Sequence, residues 1–443
     1  VTTALVIGKD GRTDCIGEAV CSSGGTLYSL CEFANPGLKR KSKVFRVGRT
    51  DDVPGVVALA AELKPDLAII GPEEPLAAGL VDALQGGLGI PCVGPTKSLA
   101  RLETSKAFTR RLSSKYDIAG NVEYMVFDSL DGLPAYLQHL GEFVIKPDGL
   151  TGGKGVKVFG DHLHSLAEAL AYAKVCLERG PVVVEEKLDG EEFSLQSFCD
   201  GEYVVDMPPV QDHKRAHEYD SGPNTGGMGS YSCEDRSLPF LAKDDLEAAS
   251  AVNRAVARAL YAEFGQPYRG ILYGGFMATA KGIRLLEYNA RFGDPEALNV
   301  LPLLETNFLA ICEAITTGRL SRLNISFRDR ATVCKYVVPK GYPTNPVRNV
   351  AIDLDRVPEY PSDRLRTYFA AVEERDGSIL LTGSRALAFV GMGHSLDDAE
   401  RIAERAASSV EGPVDHRRDI GTTKLIRRRV DHIKRLRGTD STS

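Results

Sequence analysis

Through its first hundred residues the chain alternates short apolar runs with longer helix-like segments, and this alternation constrains its fold more than any other feature. The runs Ala4–Ile7, Val44–Val47, Leu67–Ile70 and Pro91–Val93 are separated by segments such as Val53–Leu63 and Leu76–Leu84. Short apolar runs spaced by helical patterns predict βαβ units on a parallel sheet. Ligands of such sheets bind beyond the carboxyl ends of the strands. Here those ends read Gly8-Lys-Asp-Gly-Arg12, Gly71-Pro-Glu-Glu-Pro75 and Gly94-Pro-Thr-Lys97.

A helix-prone stretch from Ser98 to Lys115 closes this unit. A second α/β block runs from about Tyr124 to Glu192, with strands predicted at Glu142–Lys146, Lys157–Phe159 and Pro181–Glu185. A longer block follows to about Gly318. It has strand patterns at Ser194–Phe198, Tyr203–Pro208, Gly270–Thr279 and Ile283–Asn289, and a helix at Asp244–Phe264. From Ala331 the tail reads as a smaller α+β unit, with a strand at Ala386–Val390 and an amphipathic helix at Ser395–Val410. The basic, polar residues Arg427–Ser443 are expected to fray.

Composition narrows the class of partner. With 54 Lys+Arg against 60 Asp+Glu, the net charge of -6 argues against broad electrostatic binding to nucleic acid or anionic membranes. Nine scattered cysteines without a C-x-x-C pair suit reduced thiols. No apolar run approaches the length of a membrane span, and the opening VTTALVIG lacks the basic region and cleavage site of a signal peptide. A cytoplasmic location is the expectation. Of the 44 glycines, eight fall within 149–155 and 222–229.

Those windows are candidate anion sites. Lys146-Pro-Asp-Gly-Leu-Thr-Gly-Gly-Lys-Gly155 follows a strand, and its glycines let backbone N–H groups turn toward phosphate oxygens, with Lys146 and Lys154 adding charge. It lacks the Gly-Lys-Ser/Thr ending of a Walker A loop, and a surface hairpin is the plain alternative. Leu285-Leu-Glu-Tyr-Asn-Ala-Arg291 alternates with period two, which places Glu287, Asn289 and Arg291 on one face, with Leu286 and Tyr288 on the other. A carboxylate beside an amide oxygen suits Mg²⁺, and Arg291 suits a transferring phosphoryl group; a solvated edge strand is the alternative. Gln211-Asp-His-Lys-Arg215 and Ser221–Gly229 read as a long polar loop able to cradle phosphate or carboxylate. His213 there is either an acid/base or an ordinary hydrogen-bonding residue. Val182–Leu188 runs into the acidic turn Asp189-Gly-Glu-Glu192, which could meet adenine and ribose or simply face solvent. Lys335, Arg417 and Arg418 are read as surface salt-link residues.

Together these segments resemble the phosphoribosylamine–glycine ligase (glycinamide ribonucleotide synthetase) family of the ATP-grasp superfamily. The resemblance runs in order through Gly71–Gly79, Gly94–Lys97, Leu102–Phe108, Lys146–Gly155, Val184–Glu192, Gln211–Lys214, Gly222-Pro-Asn-Thr-Gly-Gly-Met-Gly229, Leu286–Glu296, Gly391–His394 and Arg418–Gly421. It implies an α/β chain in three parts. These are an N-terminal parallel-sheet (pre-ATP-grasp) domain at 1–103, a two-lobed α+β ATP-grasp domain at 104–318 with a lid near 124–192, and a small C-terminal α+β domain at 319–443.

The resemblance also implies roles. Lys106 and Lys146 would meet the ATP phosphates, Gly152, Gly153, Lys154 and Gly155 would form the lid loop, and Glu185, Lys187 and Leu188 the adenine hinge. Glu192 would contact the ribose, and Glu287 and Asn289 would bind Mg²⁺ or Mn²⁺. Asp212, Lys214, Pro223, Asn224, Thr225, Gly226, Gly227, Met228, Gly229, Arg291 and Asp294 would surround glycine and 5-phosphoribosylamine, with Gly11, Arg12 and Glu73 near the ribose phosphate. Arg291, Lys146, Asp212 and Asp294 would act in catalysis. The implied reaction passes through a glycyl phosphate, so positioning and charge neutralisation replace a nucleophilic side chain. Contact with the enzyme that makes the unstable phosphoribosylamine is a further expectation. One departure bears on the amine substrate: the family's Gly-x-Gly-Gly-Arg-Glu-His reads Gly8-Lys-Asp-Gly-Arg-Thr-Asp14 here. A related carboxylate–amine ligase using a different amine, and a non-catalytic nucleotide-binding relative, are the alternatives.

Overall fold

The structure, a computed structural model, describes residues 1–150, 152 and 155–438. The opening alternation forms five parallel strands in the order Val44–Val47, Thr26–Cys31, Thr3–Gly8, Leu67–Ile70, Cys92–Val93. Thr26–Cys31 escaped the sequence reading because Tyr28 and Ser29 interrupt its apolar run. The chain leaves Thr3–Gly8 toward one edge and returns to add Leu67–Ile70 on the other side. This switch point opens a crevice beyond Gly8 and Gly71. The helix Gly11–Ser22 starts there, capped by Asp10, whose Oδ1 accepts from the Thr13 N–H at 3.2 Å. The segment read as one helix at Leu76–Leu84 is two, Glu73–Ala78 and Leu80–Leu88, broken at Gly79. Ser98–Lys115 likewise breaks at Ser105, whose hydroxyl caps Lys106–Lys115.

Two sheets face one another in the middle of the chain. The smaller lobe orders its strands Tyr124–Phe127, Val182–Glu186, Phe143–Pro147, Lys157–Val158 and closes its own core around Phe127, Leu137, Phe143, Ile145, Val182 and Val184. Across from it stand Val204–Asp206, Gly190–Cys199, Gly270–Thr279 and Gly282–Asn289, backed by the helix Lys243–Phe264.

The stretch from Gln211 to Gly229 is not the free loop its polar composition suggested. Gln211–Asp212 and Gly229–Ser232 join Ala331–Pro339, Leu387–Gly393 and Leu365–Phe369 in one antiparallel sheet, and Arg215–His217 pairs with Ser221–Asn224. Ladder hydrogen bonds are indifferent to side-chain polarity, so the pattern gave no sign of them. Middle-block strands thereby complete the tail's sheet.

The C-terminus departs further from expectation. Instead of fraying, Thr423–Arg437 is a helix whose basic residues meet acidic partners on the middle block, while 439–443 of the stretch expected to fray lie outside the described residues. Arg437 holds Asp245 with both Nη atoms (2.8 and 2.9 Å), and His432 Nδ1 lies 2.7 Å from Glu191. Lys335 and Arg417, expected at the surface, are buried; Lys335 Nζ donates to Glu400, Glu404 and the Arg418 carbonyl. All nine cysteines are free, and among the described residues no helix is long and apolar enough to cross a membrane.

Candidate functional site

The cleft between the two middle lobes begins at two lysines. Lys146 is the penultimate residue of the strand Phe143–Pro147, and its Nζ donates to Glu185 Oε2 (2.7 Å) and to the Leu286 carbonyl (3.3 Å). Lys106 opens its helix, with Nζ 2.7 Å from the Gly149 carbonyl. Asp148 ties the two together by accepting from Ser105 Oγ (2.9 Å) and the Ala107 N–H (3.1 Å). Burial, with the Lys146 charge added, pushes Lys106 below the usual lysine range, a setting that an anionic ligand would relieve.

Glu185 is the first of the three residues expected at the adenine hinge. Its carboxylate turns inward, accepting from Arg110 Nε (2.7 Å) and Nη2 (2.9 Å) as well as Lys146. Burial pushes it up, but Arg110 and Lys146 together bring it down to about 2. Any hinge contact therefore falls to the backbone beyond it. The Leu188 N–H has no hydrogen-bond partner among the described residues, whereas the Lys187 side chain is engaged by the Phe159 carbonyl at 3.0 Å. In the glycine loop, the Gly155 carbonyl accepts from Tyr172 at 2.6 Å and Gly152 is exposed; Gly153 and Lys154 lie outside the described residues.

Glu287 and Asn289 sit on the last strand opposite Gly275 and Tyr273. A bulge between Gly275 and Phe276 breaks the period-two pattern there, so Leu286 lines the cleft beside Glu287 instead of joining buried Tyr288 on the far face. Lys214 Nζ stands 3.7 Å from Glu287 and 3.6 Å from Glu192. Glu192, working against the burial penalty, holds Lys214 above its ordinary range.

Further along lies a small cavity lined by Asp212, Lys214, Tyr273, Gly275, Glu287 and Glu296. Asp212 Oδ1 accepts from the His213 N–H (2.7 Å), and burial plus the Glu296 charge push its carboxyl well above the usual range. Gly227 has φ of +113°, and a Cβ there would stand 2.7 Å from both Asp212 Oδ1 and Pro295 Cδ. Only glycine lets the loop close on Asp212.

Arg291 turns from this cavity toward the switch-point crevice. It donates to Glu73 (3.0 Å) and Asn289 Oδ1 (3.1 Å) and pairs with Glu103 at 2.9 Å. Burial pushes both carboxyls up, but Arg291 and Arg12 draw Glu73 down to about 2, while Glu103 rises to about 7. Arg12 is gripped by Asp10 (Nε to Oδ2, 2.7 Å) and by the Phe292 carbonyl (2.6 Å). Asp10, one of the three residues that depart from the family loop, thus pairs with the arginine that the loop retains. Gly11 lies beneath the Tyr336 hydroxyl, which donates to Asp294 Oδ1 at 2.6 Å, and Asp294 Oδ2 accepts from the Arg12 N–H at 3.2 Å.

The Gly222–Gly229 segment is held from the tail. Arg385 stacks 4.4 Å over the Tyr336 ring, and its Nη1 donates to the carbonyls of Gly226 (2.9 Å), Gly227 (3.0 Å) and Asp294 (3.0 Å). Thr225 returns both its N–H and its hydroxyl to the Lys214 carbonyl. Met228 is buried, and Asn224 pairs with Arg215 with Pro223 beside it. Asp212, Lys214 and the glycine pair therefore belong to one site, while Pro223 and Asn224 stand further out on the hairpin. His213 is fully buried with Nδ1 3.2 Å from the Gly229 carbonyl, so the hydrogen-bonding alternative holds for it. Sequence reasoning passed over Arg110, Glu103, Glu296, Tyr336 and Arg385. Glu103 and Glu296 lie inside recognisable segments, but nothing local to Arg385 marks a residue whose partners lie over 90 positions away.

A two-lobed cleft of this kind, set between a parallel-sheet unit and a tail sheet, defines the ATP-grasp class, whose members use ATP. The chain belongs to the phosphoribosylglycinamide synthetase family. Its N domain model matches residues 2–103, its ATP-grasp (A) domain model residues 104–297 and its C domain model residues 332–423. The chain is 48% identical over 436 residues to a phosphoribosylamine–glycine ligase of Methanocella arvoryzae, covering 98% of this chain and 99% of the relative. A Methanococcus maripaludis protein of the same name is 45% identical over 442 residues, with the same coverage of each chain. A crystal structure of phosphoribosylamine–glycine ligase from Thermotoga maritima superposes with a TM-score of 0.79 at 28% identity, covering 94% of this chain and all of that one.

Proposed function

We propose that the cleft joins glycine to 5-phosphoribosylamine with ATP, giving glycinamide ribonucleotide, ADP and phosphate in purine biosynthesis. The observation that carries this reading is the agreement of all three family models, in order, along a chain whose cleft keeps its cationic and carboxylate side chains together. Lys106 and Lys146 bind the ATP phosphates, Gly152–Gly155 closes over them, the Lys187–Leu188 backbone meets the adenine, and Glu192 meets the ribose. Glu287 and Asn289 fit a Mg²⁺ or Mn²⁺ ion, since two hard oxygens on one strand face leave room for the phosphates and water that Mg²⁺ retains. When bound, the ion draws charge from the phosphate oxygens.

A glycine carboxylate oxygen attacks the γ-phosphorus in line as the bond to ADP breaks, with Lys214 and Arg291 neutralising the charge that builds. The amine of phosphoribosylamine then attacks the acyl carbon. Phosphate departs, and Asp294, at the crevice end, accepts the released proton. Gly11, Arg12 and Glu73 receive the ribose phosphate end, and the Gly226–Gly229 turn closes the site from the tail side. Since the amine is unstable, the reading includes its handover from the enzyme that forms it. The test is ADP release with glycine, with and without freshly made phosphoribosylamine. The expected result is release well above background only with both substrates, and a background rate with both would overturn the reading.

A further inference from the structure

Glycine enters such a site as a zwitterion, so its receptor needs two ends of opposite sign. One end is plain: Lys214 and the cationic surroundings of Glu287 receive the carboxylate. The other end lies across the same small cavity. Glu296 is 2% exposed, and its Oε1 is fixed by the Tyr273 hydroxyl. Glu296 lines the cavity, and its Oε2, beside Gly293, has no hydrogen-bond donor among the described residues. Asp212 lines the same cavity, with Oδ1 held by the His213 N–H and Oδ2 without a donor among the described residues. Two carboxylates on one cavity, Glu296 buried and Asp212 half-buried, each keep an oxygen without the donor that a charge withdrawn from water requires. A primary ammonium supplies three N–H donors and the missing charge.

Resting on the ligase reading above, we infer that Glu296 and Asp212 form the receptor for the glycine α-ammonium, and that Glu296 is the residue that separates glycine from carboxylates lacking an amine. The walls suit a ligand without a side chain: Gly275 lines the cavity, and Gly227 already approaches Asp212 closely. The grip also has a chemical consequence. Held as an ammonium, the glycine nitrogen has no lone pair, so the amine of phosphoribosylamine is the only nucleophile offered to the acyl phosphate.

Glycolate, which carries a hydroxyl where glycine carries the ammonium, reads this contact directly. The acyl phosphate is trapped with hydroxylamine, so the unstable amine is not needed, and glycolate is titrated as a competitor of glycine. In Glu296→Gln the KM for glycine should rise about 30-fold or more, the size expected when one partner of a buried charge pair is removed. The KM for ATP and the inhibition constant of glycolate should stay put. Asp212→Asn should erode the same preference, and Tyr273→Phe should do so more weakly; either keeps the test available if Glu296→Gln fails to fold. An unchanged glycine-to-glycolate ratio in the variants, or equal losses for both ligands, would overturn the assignment. A wild-type chain that forms no glycyl hydroxamate would instead overturn the ligase reading.

Discussion

The two glycine-dense segments share a composition and differ in what their glycines face. At Gly149 and Gly152 an added Cβ would meet nothing within 4 Å. At Gly226 it would lie 3.2 Å from Arg385 Cζ, and at Gly227 2.7 Å from Asp212 Oδ1. The first segment leaves space beside Lys106 and Lys146 for a ligand to fill. The second uses missing side chains to bring three parts of the chain into contact around Asp212 and Asp294. One sequence signature thus serves two physical ends, open room for a ligand and close approach of protein to itself.

The sharpest way to break this contrast is Gly227→Ala. Positive φ costs an alanine about 1–3 kcal/mol, and forcing its methyl against Asp212 and Pro295 costs a similar amount. A loss of about 3 kcal/mol or more in chemical denaturation is expected, with turnover falling alongside. A variant of wild-type stability would end the claim that this segment is packed. On the open side the corresponding change is to charge. Lys146→Met should lower turnover about 100-fold or more, as when a donor to developing phosphate charge is removed. Its unfolding midpoint should move much less than that of Gly227→Ala, because Arg110 still neutralises Glu185. Near-normal turnover would show that Lys146 merely partners Glu185.

The same contrast explains what was legible in the sequence. Four of the five strands of the parallel sheet were readable as short, mainly apolar runs, and Gly270–Thr279 matched its predicted bounds because both ends are marked by glycine or a polar turn. The phosphate lysines and the Glu287–Asn289 pair were readable because their chemistry lies within a few residues. Leu286 was misplaced because a bulge shifts the register by one residue, and periodicity has no symbol for a bulge. Arg385 and Tyr336 were silent, since they act through Gly226, Gly227 and Asp294 across the tail sheet. The C-terminal helix was misread because its stability comes from Asp245, Glu191 and Asp220, all distant in sequence.

A smaller effect sharpens the packed side alone. His213 is buried beneath this segment; burial first, then Arg429 and Arg417, push it down to about 3 from an unfolded value near 6.5. The unfolded chain therefore takes up a proton below pH 6.5 that the folded chain refuses until about pH 3. The stability owed to neutral His213 is fully present above pH 6.5 and is lost as pH falls toward 3, at up to about 1.4 kcal/mol per pH unit. Denaturant unfolding at pH 7, 6 and 5 should show this slope, and His213→Phe should flatten it by one proton. An unchanged slope would place the acid sensitivity elsewhere.

The smallest expected effect falls on the open side and is the most exacting for the contrast. Gly149 has φ of +96° and open space around its Cα, so Gly149→Ala carries the backbone penalty without any collision. About 1 kcal/mol of stability should be lost, well under the Gly227→Ala figure. The Gly149 carbonyl accepts from Lys106 Nζ, so a shift in the backbone there reaches the phosphate site before it reaches the core. The KM for ATP should consequently rise severalfold in this variant while the KM for glycine holds. A stability loss equal to that of Gly227→Ala would mean that the two segments do the same work, and the distinction between ligand room and packing would fail.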